Sequence, residues 1–265
     1  MTRLLSVTAL LLASPLGPAS GQSVESHDRE SLGAAARPTG GGDTPDLKKV
    51  AAGVTERTNA FRKEQGRGPV GVNKELAAAA EYFAGYMAET GKYGHTADGS
   101  RPSDRAKKHG YDYCIVAENI AYVFNPNGFT AEALADEFFT GWKNSPPHRK
   151  NMLDPDVTDT AVAVARSKET GYYYAVQMFG RPKSAAIEFK IENRAGDEVS
   201  YSIGDKTYTL PPRYTRTHEQ CRPAEVSFQW PGEKKPSATV KPAAGDAYVI
   251  SKEGGTYRVT KQKGK

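Results

Sequence analysis

Cysteine is scarce in this chain. Its 265 residues include two, Cys114 and Cys221, which excludes a four-cysteine zinc module and a small disulfide-dense scaffold. The two fall in regions of different character, so a bridge between those regions and a pair of buried free thiols both stand open. Long apolar runs are missing too: the stretch at 4–16 is too short to cross a bilayer. A large charge excess is also absent. The formal net charge is +5; residues 183–265 hold 15 basic and 10 acidic side chains, and the remainder balances at 21 of each. That bias is weaker than a nucleic-acid footprint. It suits a solvated basic face, or contact with a polyanionic wall or membrane surface. No internal repeat and no nucleophile-elbow motif occur.

What is present begins with Arg3, the apolar stretch and the small residues Ala19-Ser20-Gly21. This order reads as a signal peptide over residues 1–21, removed on export. No cysteine adjoins the cleavage site, which argues against a lipid anchor, and no transmembrane anchor is expected in the mature chain. Residues 22–45 are rich in Gly, Ser, Ala and Pro and read as a disordered linker.

From Asp46 the pattern is helical. Leu47, Val50, Val54 and Phe61 share one face, and Gly66 stops the run. Asn73 caps a second helix with the stripe Leu76, Ala80, Phe83 and Met87, ended by Gly91. Pro102 opens a short basic helix that stops at Gly110, and Thr130 caps another that faces Leu134, Phe138 and Trp142 inward. Ser145 followed by Pro146-Pro147 reads as the cap of a short segment carrying His148. Residues 160–166 and 171–179 form a hairpin around Lys168–Gly171, and 114–121 form another strand. Helices against a mostly antiparallel sheet follow. Tyr172, Tyr173 and Tyr174 alternate in direction, so at least one of them packs into the core.

After Pro182 the period changes. Ile187, Phe189 and Ile191 alternate, Gly204-Asp205 turns one hairpin and Gly254-Gly255 another. About seven short strands suggest a small β-sandwich in residues 183–265. His218 stands alone there and reads as a surface or structural residue.

Three residues carry the chemistry: His95 in Gly-His-Thr, Glu118 in Ala-Glu-Asn-Ile-Ala, and His148 in Pro-Pro-His-Arg-Lys-Asn-Met-Leu. Two imidazoles and a carboxylate are ligand types that zinc accepts, and they also suit acid–base work. Asn119 is placed to bond loop groups of the backbone. Ser145, His148 and Glu118 include the side-chain types of a serine triad, a hydrolase alternative. A third reading has His95, Glu118 and His148 simply hydrogen-bonding the helices to the sheet.

Residues 46–182 resemble the bacterial, secreted branch of the CAP superfamily: cysteine-rich secretory proteins, venom allergens and pathogenesis-related proteins. The resemblance rests on Thr58-Asn59-Ala60-Phe61-Arg62, Gly94-His95-Thr96-Ala97-Asp98-Gly99, Arg101-Pro102, Ala117-Glu118-Asn119-Ile120-Ala121, Trp142-Lys143-Asn144-Ser145 with His148-Arg149-Lys150-Asn151-Met152-Leu153, and Gln177-Met178-Phe179-Gly180. It implies a three-layer α-β-α sandwich (the CAP domain, 46–182), here followed by a small all-β sandwich-like domain (183–265). It also implies a cleft tetrad of two histidines and two glutamates. His95, Glu118 and His148 fill three places, and Ser145 stands where the second glutamate usually lies. These three are the expected ligand-binding and metal residues, with zinc as the weakly held candidate metal. The resemblance implies an extracellular binding or interaction module, secreted, periplasmic or at the cell surface. Its partner would be a small ligand, a lipid or a cell-surface component.

Overall fold

The computed structural model describes residues 44–233 and 235–262. The signal and linker readings fall outside these. Among the described residues no helix is long and apolar enough to cross a membrane.

The first helix, α1 (Leu47–Glu64), starts at Asp46, whose carboxylate accepts from the N–H groups of Lys48 and Lys49. A short strand β1 (Gly71–Val72) leads to α2 (Lys74–Thr90), capped by Asn73 Oδ1 accepting from Leu76 N at 2.9 Å. Gly91 ends α2 in the left-handed region at φ 68°, where a side chain would be strained. Pro102 is the first residue of α3 (Pro102–Lys108). Then come β2 (Tyr113–Val123), α4 (Ala131–Asn144), capped by Thr130, and α5 (Pro146–Met152). The hairpin β3 (Asp159–Arg166) and β4 (Tyr173–Pro182) completes this part.

The sheet runs β1-β3-β4-β2, antiparallel except where β1 lies parallel to β3. Strand β4 is buried on both faces, because helices cover both. Tyr174, Val176 and Met178 pack under α2 with Leu76, Phe83 and Met87. Tyr173, Ala175 and Phe179 pack under α1 and α4 with Val54, Phe138 and Trp142. Two of the three consecutive tyrosines are therefore core residues, one per face. Glycine is required at 180: a Cβ there would overlap the Tyr111 ring, whose hydroxyl donates to Asp159.

Much of the Thr58–Arg62 motif is structural. Gln177 Nε2 donates to Thr58 Oγ1 at 3.0 Å, and Asn59 bonds both the N–H and the C=O of Val70. Arg62 is buried and donates to the carbonyls of Gly68, Met152 and Asp154, tying α1 to the end of α5.

After a 3₁₀ turn at Lys183–Ala185 come eight strands: β5 (Ile187–Asn193), β6 (Val199–Ile203), β7 (Lys206–Leu210), β8 (Thr215–Gln220), β9 (Val226–Gln229), β10 (Ala238–Val240), β11 (Asp246–Glu253) and β12 (Thr256–Gln262). They form two four-stranded sheets, β10-β9-β6-β7 and β12-β11-β5-β8. Phe189, Ile191, Val199, Tyr201, Phe228 and Ile250 fill the core of these strands. Three pairings depart from a simple run of hairpins: β5 with β8, β6 with β9, and β11 with β5, the last of them parallel. His218 is buried in this core. Its Nε2 is 2.7 Å from the Tyr201 hydroxyl and its ring stacks on Phe189, so its role is structural.

The two cysteines are joined, with Cα atoms 5.1 Å apart across a sequence separation of 107. Beside the bridge, Arg222 donates to Asp154 and Asp156 at 2.7–2.8 Å. Lys183 pairs with Glu219.

Candidate functional site

The loop after α2 delivers His95. It is shaped by Asp98, which accepts from the N–H of Ser100 at 3.0 Å and its hydroxyl at 2.8 Å. Burial alone would raise the Asp98 pKa; the Ser100 hydrogen bonds and the Arg105 charge overcome it, and the carboxyl ends below its ordinary value. Strand β2 delivers Glu118 on the face that also carries Ile120 and Tyr122. His95 Nδ1 lies 2.8 Å from Glu118 Oε1; the imidazole is 40% exposed and the carboxylate 1%.

Helix α5 delivers His148 at the open edge of β2. Asn119 Nδ2 donates to the His148 carbonyl at 3.3 Å, so Asn119 does bond backbone, though of helix α5 rather than of a loop. Asn151 Nδ2 donates to the Glu118 carbonyl and to Asn119 Oδ1. Trp142 Nε1 and the Tyr93 hydroxyl both donate to the Ile120 carbonyl at 3.1 Å. Side chains of Asn151, Trp142 and Tyr93 thus occupy carbonyls of β2 on the side where no strand pairs with it. The His148 pKa is pushed down, first by burial and then by the proximity of His95. The fold therefore brings the two imidazoles and Glu118 into one neighbourhood.

Residue types alone gave no sign of Arg105. It enters from α3 and is buried. Its Nη2 donates to both Glu118 oxygens, at 2.8 and 3.0 Å, and to the His95 carbonyl at 2.9 Å. Its Nη1 donates to Asp98 Oδ1 and the Ser100 carbonyl, each at 2.9 Å. The guanidinium carbon sits 3.5 Å from the centroid of Phe83. The signal in the sequence was a single arginine of the right phase on a short basic helix, which becomes legible only with Asp98 and Glu118 around it.

This arrangement does not fit zinc. A catalytic or open zinc site needs three protein donors. Glu118 already accepts from Arg105 and His95 and is closed to solvent, which leaves two imidazoles. Among the described residues no group of three or more His, Cys, Asp or Glu side chains is disposed to hold a metal ion. Glu118 stands to His95 as an orienting carboxylate, fixing which ring nitrogen faces the cleft.

The triad alternative is not assembled either. Glu118 bonds His95, and among the described residues no hydrogen bond links Ser145 to His148. Ser145 occupies the N-cap position of α5, as expected, but its hydroxyl makes no capping bond. Pro146 and Pro147 lack N–H groups, so the His148 N–H is the one candidate left among the first three, and the hydroxyl does not take it. Two shallow cavities, of about 320 and 280 Å³, lie elsewhere, against Gly85 and Ser167 and against Gly53 and Ala135.

Residues 55–179 match the model of CAP, the cysteine-rich secretory protein family. The uncharacterized protein YkwD of Bacillus subtilis (strain 168) is 31% identical over 130 residues, which cover 48% of this chain and 46% of that protein. The chain thus spans less than half the length of that relative. An outer surface protein from Borrelia burgdorferi is similar at 22% identity and a TM-score of 0.44, over 54% of this chain and 99% of that one. An extracellular protein containing an SCP domain from Bacillus anthracis str. Ames is similar at 21% identity and a TM-score of 0.43, over 51% of this chain and 41% of that one.

Proposed function

We propose that this chain, whose residues 55–179 match the CAP family, works outside the cytoplasm as a binding module whose small ligand enters the cleft between His95 and His148. The observation that carries this is the His95–Glu118 pair: a half-open imidazole, oriented by a closed carboxylate, beside a second imidazole. Such a pair offers a fixed hydrogen-bonding edge to a ligand. Export is supported by the signal-like N-terminus, by the family's description as secretory, and by the Cys114–Cys221 bridge, which persists in an oxidising compartment.

Native mass spectrometry of the protein purified from its secreting cells tests this reading. A co-purified small molecule should be present in the parent and lost in both His95→Gln and His148→Gln. The same adduct in all three would place binding elsewhere.

A further inference from the structure

Arg105 touches His95 at one end directly and at the other through Glu118. The same Nη2 atom donates to the His95 carbonyl and to the carboxylate that accepts from the His95 ring. Its other terminal nitrogen holds Asp98 and Ser100, the residues that shape the His95 loop. A lysine could not reproduce this: its ammonium is a point donor, whereas the guanidinium spreads its N–H groups in a rigid plane. That plane is also packed against Phe83. A cation is needed beside two carboxylates this deeply buried. Arg105 supplies it covalently, and in doing so uses the oxygens of Glu118 that a metal ion would need.

We propose that Arg105 is the positioning residue of the cleft. It fixes His95 from both ends, makes the site independent of metal, and leaves His95 Nε2 as a hydrogen-bond acceptor for a ligand that donates, such as one bearing hydroxyl groups. The proposal rests on the cleft being the binding site, but its test needs no ligand, so the two can fail separately. With Glu118 accepting from Nδ1–H, the neutral ring has its proton on Nδ1 and its lone pair on Nε2.

Long-range ¹H–¹⁵N correlation spectra of the full mature protein, labelled at histidine and recorded at mildly alkaline pH, read this tautomer. The parent should show His95 with its proton on Nδ1, and equimolar zinc chloride should leave those signals in place. In Arg105→Lys the proton should distribute over both ring nitrogens, with the Nδ1–H fraction falling by about half or more, while the His218 signals stay as in the parent. If that variant does not fold, Arg105→Gln serves in its place, with the same redistribution expected. A parent with the proton on Nε2 overturns the proposal. So does a folded Arg105→Lys that keeps the parent tautomer, which would make Arg105 a loop tether only, and so does a zinc-induced shift at His95 Nε2.

Discussion

The α-β-α part and the β-sandwich part bury different things. The first buries Arg62, Arg105, Glu118, Asn119 and Gln177, and its polar side chains bond backbone carbonyls and one another across elements. In the second, the core is aliphatic and aromatic, and its buried polar side chains are Asn193, His218 and Asp246. Asn193 caps nearby carbonyls and His218 meets a tyrosine. Burying charge is costly and adds little net stability over an apolar packing of the same shape. A region that nevertheless buries a guanidinium and two carboxylates under one half-open histidine is arranged to hold that histidine.

The largest effect should come from uncoupling the two regions. Replacing Cys114 and Cys221 together by Ser should cost about 4–5 kcal/mol, the chain-entropy value for a loop near a hundred residues, read by denaturant unfolding. A loss under about 1 kcal/mol would mean that the noncovalent contacts around Arg222 already hold the regions together. Next, Arg105→Met should cost about 3–5 kcal/mol, because it leaves Asp98 and Glu118 buried without a cation. Arg222→Ala removes a half-exposed pair and should cost no more than about 1 kcal/mol. Equal losses would erase the contrast between a buried network and a surface clamp.

Acid should act on both regions with the same sign. Burial lowers the pKa of His148 in the first and of His218 in the second. Between those lowered values and the ordinary 6.5, the unfolded chain holds more protons than the folded one. Stability is therefore full above about 6.5 and declines as pH falls through the histidine range. Thermal melts across that range should show it; melting that is flat down to the carboxylate range would contradict it. The smallest effect belongs to Ser145→Ala. With no capping bond to lose, it should stay within about 0.5 kcal/mol. A loss near 1 kcal/mol would show that the hydroxyl does cap α5.

Local chemistry was legible where it is local. Asn73, Thr130, Gly91 and Pro102 mark helix ends because capping and backbone freedom depend on a few neighbouring residues. The alternation of Ile187, Phe189 and Ile191 and the turns at Gly204-Asp205 and Gly254-Gly255 are of the same kind. What escaped depends on distant partners. The bridge joins residues whose spacing says nothing of their proximity. Strand β11 finds β5 in parallel across the intervening strands, and β8, β9 and β10 lie where no turn pair or alternation marked them. His95, Glu118 and His148 stood out because their side chains are chemically suggestive. Arg105, which organises two of them, looked like one more charge on a basic helix. Ser145 shows the converse: its position was legible, but the two prolines that marked it also removed the N–H groups it would have capped.

The central claim is that His95 is held for binding and His218 for folding. Calorimetric melting of His95→Gln and His218→Gln against the parent tests it most directly. The account predicts that His95→Gln melts with the parent, within about 0.5 kcal/mol, since Glu118 keeps Arg105. It predicts that His218→Gln loses about 1–3 kcal/mol, since the buried Tyr201 hydroxyl loses its ring partner. A His95→Gln variant destabilised as much as His218→Gln would contradict the account and make His95, Glu118 and His148 a structural tie between helices and sheet.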